Sequence, residues 1–449
     1  MDTKESLRTM ASLRSSSSGS PPLTLMQQRV GRWIDDQIAK GKLPRGEILV
    51  KHRGRLVCAY NNEGVSPSSG SAASSDPTIY RLYSMTKPIV SLAVLLLFEE
   101  GRFQLNEPVW KFLGEKWKKQ NMTVMDLKQQ QQQPPATTPC KRSITIHHLL
   151  THTSGLSHGL SIPGIHDPLD AYYKKVGLAG VLLRRKPETE FKSLQHFCDR
   201  LAECPLLFQP GEHWHYSYSV DLLGRIVEVV SGQTLEDFLQ ERILRPLGMR
   251  DTSFSVPATK AHRLSGLWLP RPHGPARNIG DSAFLPEFQS GSGGLYGTCG
   301  DYLMFAEMLL RGGLTRDGKR ICSKKTIEWM SSNHLRSPKD NSLQTVRSMG
   351  CGNLTIDMPH GVGFGLGFAV AVDVPVDSMI ISKGTFYWSG AASTFFWVDP
   401  QEDLVLVFCT QLLMPDPLEN PIHPSLHAVV YGSMEHDDPT GGPLPSSRL

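Results

Sequence analysis

Ser84-Met85-Thr86-Lys87 sets a hydroxyl and an amine three residues apart, at the head of an apolar run from Ile89 to Phe98 that Gly101 closes. On a helix, residues three apart share a face and come within hydrogen-bonding reach. The helix N-terminus adds partial positive charge near the hydroxyl. Burial lowers the pKa of a lysine, so a neutral Lys87 could accept the Ser84 proton and leave an activated nucleophile. Pro88 falls in or just after the first turn, where a missing N–H is tolerated. The same four residues also read as a serine N-cap beside a solvent-facing lysine, because S-x-x-K alone is a weak signal.

Two further segments carry groups that such a pair would need. Pro210-Gly211 is a turn, after which Tyr216 opens a helix carrying Leu222, Leu223, Ile226 and Val227 inward. A tyrosine entering a helix from a loop can point into a cleft and relay a proton between nucleophile and leaving group. Tyr218, two residues on, reads mainly as a packing aromatic. Trp388-Ser389-Gly390-Ala391 ends one strand-like run and opens the next. Gly390 would let a substrate approach the strand backbone. The N–H groups of Ser84 and Ala391 would form an oxyanion hole. Trp388, Ser389, Gly390 and Tyr218 complete the candidate substrate-contacting set.

Positioning these groups falls to elements at both ends of the chain. Residues 1–23 are polar and Ser/Pro-rich and read as a disordered tail. Residues 24–435 read as one domain, and 436–449 as a flexible tail. Met26, Val30, Trp33, Ile34 and Ile38 recur at helical spacing over 25–39. Residues 46–60 form two β-rich runs around Arg53-Gly54, a hairpin signal. Strand character returns at 368–374, 384–390, 393–399 and 404–411, with a turn at 400–403 and a closing helix near 425–434. The middle, about 84–335, is mainly helical. Stretches 62–77 and 129–141 are low-complexity insertions. The expected fold class is therefore α+β: one antiparallel sheet from N- and C-terminal strands, flanked by helices, with an inserted helical lobe and a cleft between.

Composition narrows the function. The net charge of +4 over 449 residues, without a clustered basic stripe, argues against nucleic-acid binding. No apolar run reaches ~18 residues, so no membrane span is expected. The eight cysteines are scattered without a CxxC pair and read as buried, reduced thiols. His213-x-His215 lacks a third ligand at suitable spacing, so no metal is expected. The N-terminus lacks an apolar leader, and the sequons at Asn121 and Asn353 then read as chance matches. Ser447-Arg448-Leu449 resembles the Ser-Lys-Leu peroxisomal address and would engage an import receptor. The chain thus reads as cytoplasmic or peroxisomal.

Taken in order, the blocks resemble a known family. YRLYSMTKPIVSLAVLLLFEEGRFQLNEPVWKFL (80–113), ITIHHLLTHTSGLSHG (144–159), PGEHWHYSYSVDLLGRIVEVVSG (210–232), SGSGGLYGTCGDYLMFAEMLLRGG (290–313) and VGFGLGFAVAVD (362–373) are similar to segments of the class C β-lactamase-related, penicillin-binding-protein-like serine hydrolases. The likeness is greatest to the esterase and transesterase branch. The resemblance implies a β-lactamase/DD-peptidase-like fold with Ser84 as nucleophile, Lys87 as its base and Tyr216 as the second proton-transfer residue. It assigns the oxyanion amides to Ser84 and Ala391, leaves His147, His148 and His152 structural, and implies no cofactor.

Two departures bear on substrate. True class C β-lactamases carry Tyr-x-Asn where this chain has Tyr216-Ser217-Tyr218, and Lys-Thr-Gly where it has Trp388-Ser389-Gly390. Exchanging a cation for an indole wall shifts preference from anionic β-lactams toward neutral esters or thioesters. The expected activity is an acyl-enzyme esterase or acyltransferase. The alternatives are a β-lactamase or D-amino-acid peptidase, and a catalytically inactive scaffold that keeps the fold. Acyl-pocket shape would depend on loops 157–205 and 256–290.

Overall fold

A computed structural model of the protein describes residues 23–62, 76–126, 136–159, 168–178, 191–271, 274–280, 288–335, 361–373, 379–413 and 421–434. Most of the 62–77 insertion, the Asn353 sequon and Ser447-Arg448-Leu449 lie outside these residues, as do parts of loops 157–205 and 256–290.

Seven strands form the main sheet: β1 (Gly46–His52), β2 (Arg55–Asn62), β3 (Val362–Phe364), β4 (Ala369–Ala371), β5 (Phe386–Ser389), β6 (Phe395–Asp399) and β7 (Leu404–Cys409). Their spatial order is β2-β1-β7-β6-β5-β4-β3, and every pairing is antiparallel. The N-terminal hairpin therefore docks onto the C-terminal strands, with Ile48 opposite Phe408 and Val50 opposite Leu406. At the β1–β2 turn, Arg53 and Gly54 both take positive φ, 49° and 71°, the geometry a two-residue hairpin requires.

Both faces of the sheet are covered, which is why β7 reads as an unbroken apolar run. Side chains alternate along a strand. Leu404, Leu406 and Phe408 pack into a smaller outer core, while Val405, Val407 and Cys409 pack into the main one. The outer core is closed by helix α1 (Leu25–Ala39) through Met26, Val30 and Ile34, and by the C-terminal helix (Ile422–Tyr431) through Ile422, Leu426 and Val430. Thr24 and Gln27 form a capping box at the start of α1.

The inner face carries the lobe between the two ends. Helix α2 (Thr86–Glu99) is buried from Thr86 to Leu97 and packs on helix α3 (Ser219–Ser231). Helix α4 (Cys299–Leu310) lies against β7 and β6. The architecture is α+β, as the sequence implies.

Three local expectations change. The 129–141 stretch is not insertion throughout: Thr137–Pro139 pairs with Thr123–Met125, and Cys140 is buried, so its end belongs to the framework. The sheet gains a strand the sequence reading did not assign, β3, on its far edge. The closing helix starts earlier than expected, at Ile422.

Candidate active site

Ser84 sits in a 3-10 turn (Tyr83–Met85) that leads into α2. Tyr83 before it takes a φ of +45°, a conformation that costs a bulky residue energy and persists only where its surroundings fix it. The fixing contacts are visible. The Leu82 N–H donates to the Leu295 carbonyl (3.0 Å), and the Tyr302 hydroxyl donates to the Met85 carbonyl (3.0 Å). From Ile79 to Leu97, Ser84 is the one residue that is not buried. It makes no capping bond, so the N-cap alternative does not hold.

Lys87 does not face solvent. It is 2% exposed, and its Nζ donates to Ser84 Oγ at 3.2 Å and to the Ser292 carbonyl at 2.6 Å. The ammonium also lies 4.5 Å from the centre of the Tyr216 ring. Burial pushes its pKa down to about 7, against the opposing charge of Asp221. With a pKa near 7, about half of such an amine is neutral at pH 7 and can accept a proton from the hydroxyl beside it.

Tyr216 lies in the loop before α3, which starts at Ser219 rather than at the tyrosine. Its ring is 5.5 Å from Trp388 and 4.9 Å from His152. Its hydroxyl is buried and makes no well-formed hydrogen bond. Burial raises its pKa, and the nearby Ser84 and Trp388 offset part of that effect. A neutral phenol beside a nucleophile can donate to a leaving group.

The turn carrying Ala391 is fastened to the turn carrying Ser84. The Gly390 N–H donates to the Thr394 carbonyl (2.7 Å), and Thr394 Oγ1 donates to the Leu82 carbonyl (3.4 Å). Gly390 meets a constraint of the protein's own besides the expected approach of substrate. A Cβ there would lie 2.4 Å from the Leu82 carbonyl oxygen and 2.3 Å from Thr394 Oγ1. The glycine admits the protein's own backbone, and the two backbone amides of the expected oxyanion hole come from segments joined at that contact.

Two other expected contacts fall away from the group. Tyr218 is 1% exposed, donates its hydroxyl to the Leu178 carbonyl (3.1 Å) and packs against Phe197 and Tyr173. It fastens a loop instead of facing substrate. Trp388 reaches the site, so strand alternation puts the Ser389 side chain on the opposite face. His215 Nε2 is engaged by Ser157 Oγ (3.0 Å), and His213 packs edge-on to Phe208. Among the described residues no three His, Cys, Asp or Glu side chains cluster to hold a metal ion.

Sequence reasoning missed the groups behind Lys87. Asp221, in the first turn of α3, is fully buried. Its Oδ1 accepts from Ser290 Oγ (2.7 Å) and from the Ser292 N–H (3.2 Å). An Asp in a first helical turn normally reads as a complement to the helix dipole, and that masked it. Phe364 was also missed; it lies edge-to-face against Trp388 (5.3 Å) and tilted to Trp214 (5.7 Å), holding the indole from behind.

Comparison with known proteins points the same way. A family model described as beta-lactamase matches residues 30–428. An uncharacterised protein of Mycobacterium tuberculosis is 31% identical over 379 residues, covering 83% of this chain and 86% of that protein. Esterase EstB of Burkholderia gladioli is 31% identical over 294 residues, 62% of this chain and 68% of the esterase. Among solved structures, EstCE1, described as a hydrolase with promiscuous acyltransferase activity, superposes with a TM-score of 0.69 at 24% identity, covering 91% of this chain and 99% of that one. At that identity the likeness speaks for the fold.

Proposed function

This chain belongs to the beta-lactamase family, and from that premise we propose that it is an ester-acting serine hydrolase that works through an acyl-enzyme on Ser84. The observation that carries the reading is the 3.2 Å contact between buried Lys87 and the partly exposed Ser84 hydroxyl.

Neutral Lys87 takes the Ser84 proton as Oγ bonds to the acyl carbon. The oxyanion that forms is held by the N–H groups of Ser84 and Ala391. The bond to the leaving alcohol then breaks, and Tyr216 supplies its proton, recovering one from the Lys87 ammonium. Water, or an acceptor alcohol, attacks the acyl-enzyme by the reverse sequence, and Ser84 regains its proton. The proton given to the leaving alcohol is replaced by one from the incoming water or alcohol, so Ser84, Lys87 and Tyr216 are restored at the end of the cycle.

Substrate preference follows from Trp388. A buried indole beside the nucleophile offers an apolar wall and one N–H donor where a cation would attract a carboxylate. EstB, whose name gives its activity as esterase, supports the same choice. The test is kcat/KM on a neutral short-chain ester against an anionic β-lactam. The reading expects the ester to be favoured; β-lactam preference would contradict it and restore the β-lactamase alternative.

A further inference from the structure

Behind the nucleophile and its base lies a buried carboxylate that the mechanism above does not use. Asp221 is 0% exposed, and its Oδ1 accepts from Ser290 Oγ and from the Ser292 N–H. Ser292 then presents its carbonyl to Lys87 Nζ at 2.6 Å, shorter than the contact from Lys87 to Ser84. One residue thus joins the two charges, taking the carboxylate on its N–H side and the amine on its carbonyl side. The fit depends on Gly291, where a Cβ would lie 2.5 Å from the Val220 carbonyl oxygen. Any side chain there would push the 290–292 turn off the start of α3.

The second carboxylate oxygen, Oδ2, and the Ser292 hydroxyl are both buried without a well-formed hydrogen bond. A fully buried carboxylate is costly unless hydrogen bonds and a nearby charge compensate. Burial does raise the pKa of Asp221, and Ser292, Ser290 and Lys87 each work against that rise. Among the described residues, the other titratable groups around the ammonium are Tyr216, whose ring it overlies, and His152, which burial, reinforced by the Lys87 charge, holds neutral. Neither offers a negative charge, so Asp221 is the counter-charge Lys87 experiences.

We propose that Asp221 is the positioning residue for Lys87: through Ser292 it fixes where the amine sits, and by its charge it sets the pH at which the amine becomes a base. This rests on the reading of Lys87 as the base for Ser84. The charge favours the ammonium, so it raises the pH needed to free the amine. It also keeps the amine a stronger base than burial alone would leave it. Removing the charge while keeping the hydrogen bonds should have two linked effects. The amine should become neutral at lower pH, and each neutral amine should be less effective.

Asp221→Asn makes that change, since its amide oxygen still accepts from Ser290 and Ser292. The measurement is the pH dependence of Ser84 labelling by a fluorophosphonate probe, read by intact mass, on the wild type and the variant. The wild-type rate should rise through pH about 7 to a plateau. In Asp221→Asn the rise should move down by about 1 pH unit, as expected for loss of a neighbouring opposite charge, and the plateau should fall. A lower plateau with an unmoved rise, or no change at all, would overturn the proposal by leaving Asp221 a packing group. Should Asp221→Asn fail to fold, Asp221→Ser removes the charge in a smaller side chain. It should move the rise the same way; an unmoved rise there overturns the proposal equally. A wild type that takes no label would instead strike the parent reading, and this one with it.

Discussion

Lys87 Nζ donates to the Ser84 hydroxyl across 3.2 Å from a buried position in the first turn of α2. With its pKa pushed down to about 7, Lys87 is charged and inert as a base below that pH and neutral above it. Lys87→Arg should therefore abolish the pH-dependent rise as well as lower the rate, because a guanidinium stays protonated throughout. A loss of about 10²–10⁴ in kcat is the range for a removed general base. Steady-state rates on an ester from pH 5 to 9 check both features.

Tyr216→Phe separates chemistry from packing. The ring contacts to Lys87, Trp388 and His152 survive, while the hydroxyl is lost. That hydroxyl has no well-formed hydrogen bond, so thermal stability should change little. The kcat should fall by about 10²–10⁴ if the hydroxyl carries the leaving-group proton. Unchanged kcat would leave Tyr216 a packing residue.

Gly390→Ala should harm stability and acylation together. The added methyl meets Leu82 and Thr394 at distances that real Cβ atoms do not tolerate. Overpacking of this kind costs about 1–3 kcal/mol, and here the displaced backbone is the one that leads to Ser84. Melting temperature and labelling rate should both drop; a drop in only one would separate the two turns that the structure joins.

Acid stability should depend on the C-terminal helix. His427 stacks on Trp397 at 3.7 Å and is 2% exposed. Burial, with help from His423, pushes its pKa down to about 3 from 6.5. Its contribution to stability is therefore full above pH 6.5 and is lost as pH falls from there toward 3, because the unfolded chain binds a proton that the folded one refuses. His427→Phe keeps a ring against Trp397 and removes the titration. The variant should lose less stability than the wild type between pH 6.5 and 4 in denaturant titrations.

Most of this site was legible because its parts are local. Ser84 and Lys87 lie three apart on one helix start, and a nearly all-apolar helix must be buried, so the amine's burial followed from the residues around it. The C-terminal strands were legible for the same reason, since β-branched and aromatic runs such as Phe395–Asp399 announce themselves. Asp221 was not legible, because the groups that reveal its role, Ser290 and Ser292, are 69 and 71 positions away. The packing reading of Tyr218 is the one that holds, through the Leu178 carbonyl and the Phe197 ring, while its place among the substrate contacts does not. Strand β3 escaped notice because Gly363 and Gly365 weaken the strand pattern there. At Gly390 the sequence signals close approach without naming the Leu82 backbone as one of the partners.

The central claim is that Ser84 is an activated nucleophile. The direct measurement is intact-mass spectrometry after treatment with a fluorophosphonate, on the wild type and on Ser84→Ala. The account predicts one adduct on the wild type and none on the variant. A folded wild type that takes no adduct, or a Ser84→Ala variant labelled as well as the wild type, would contradict it.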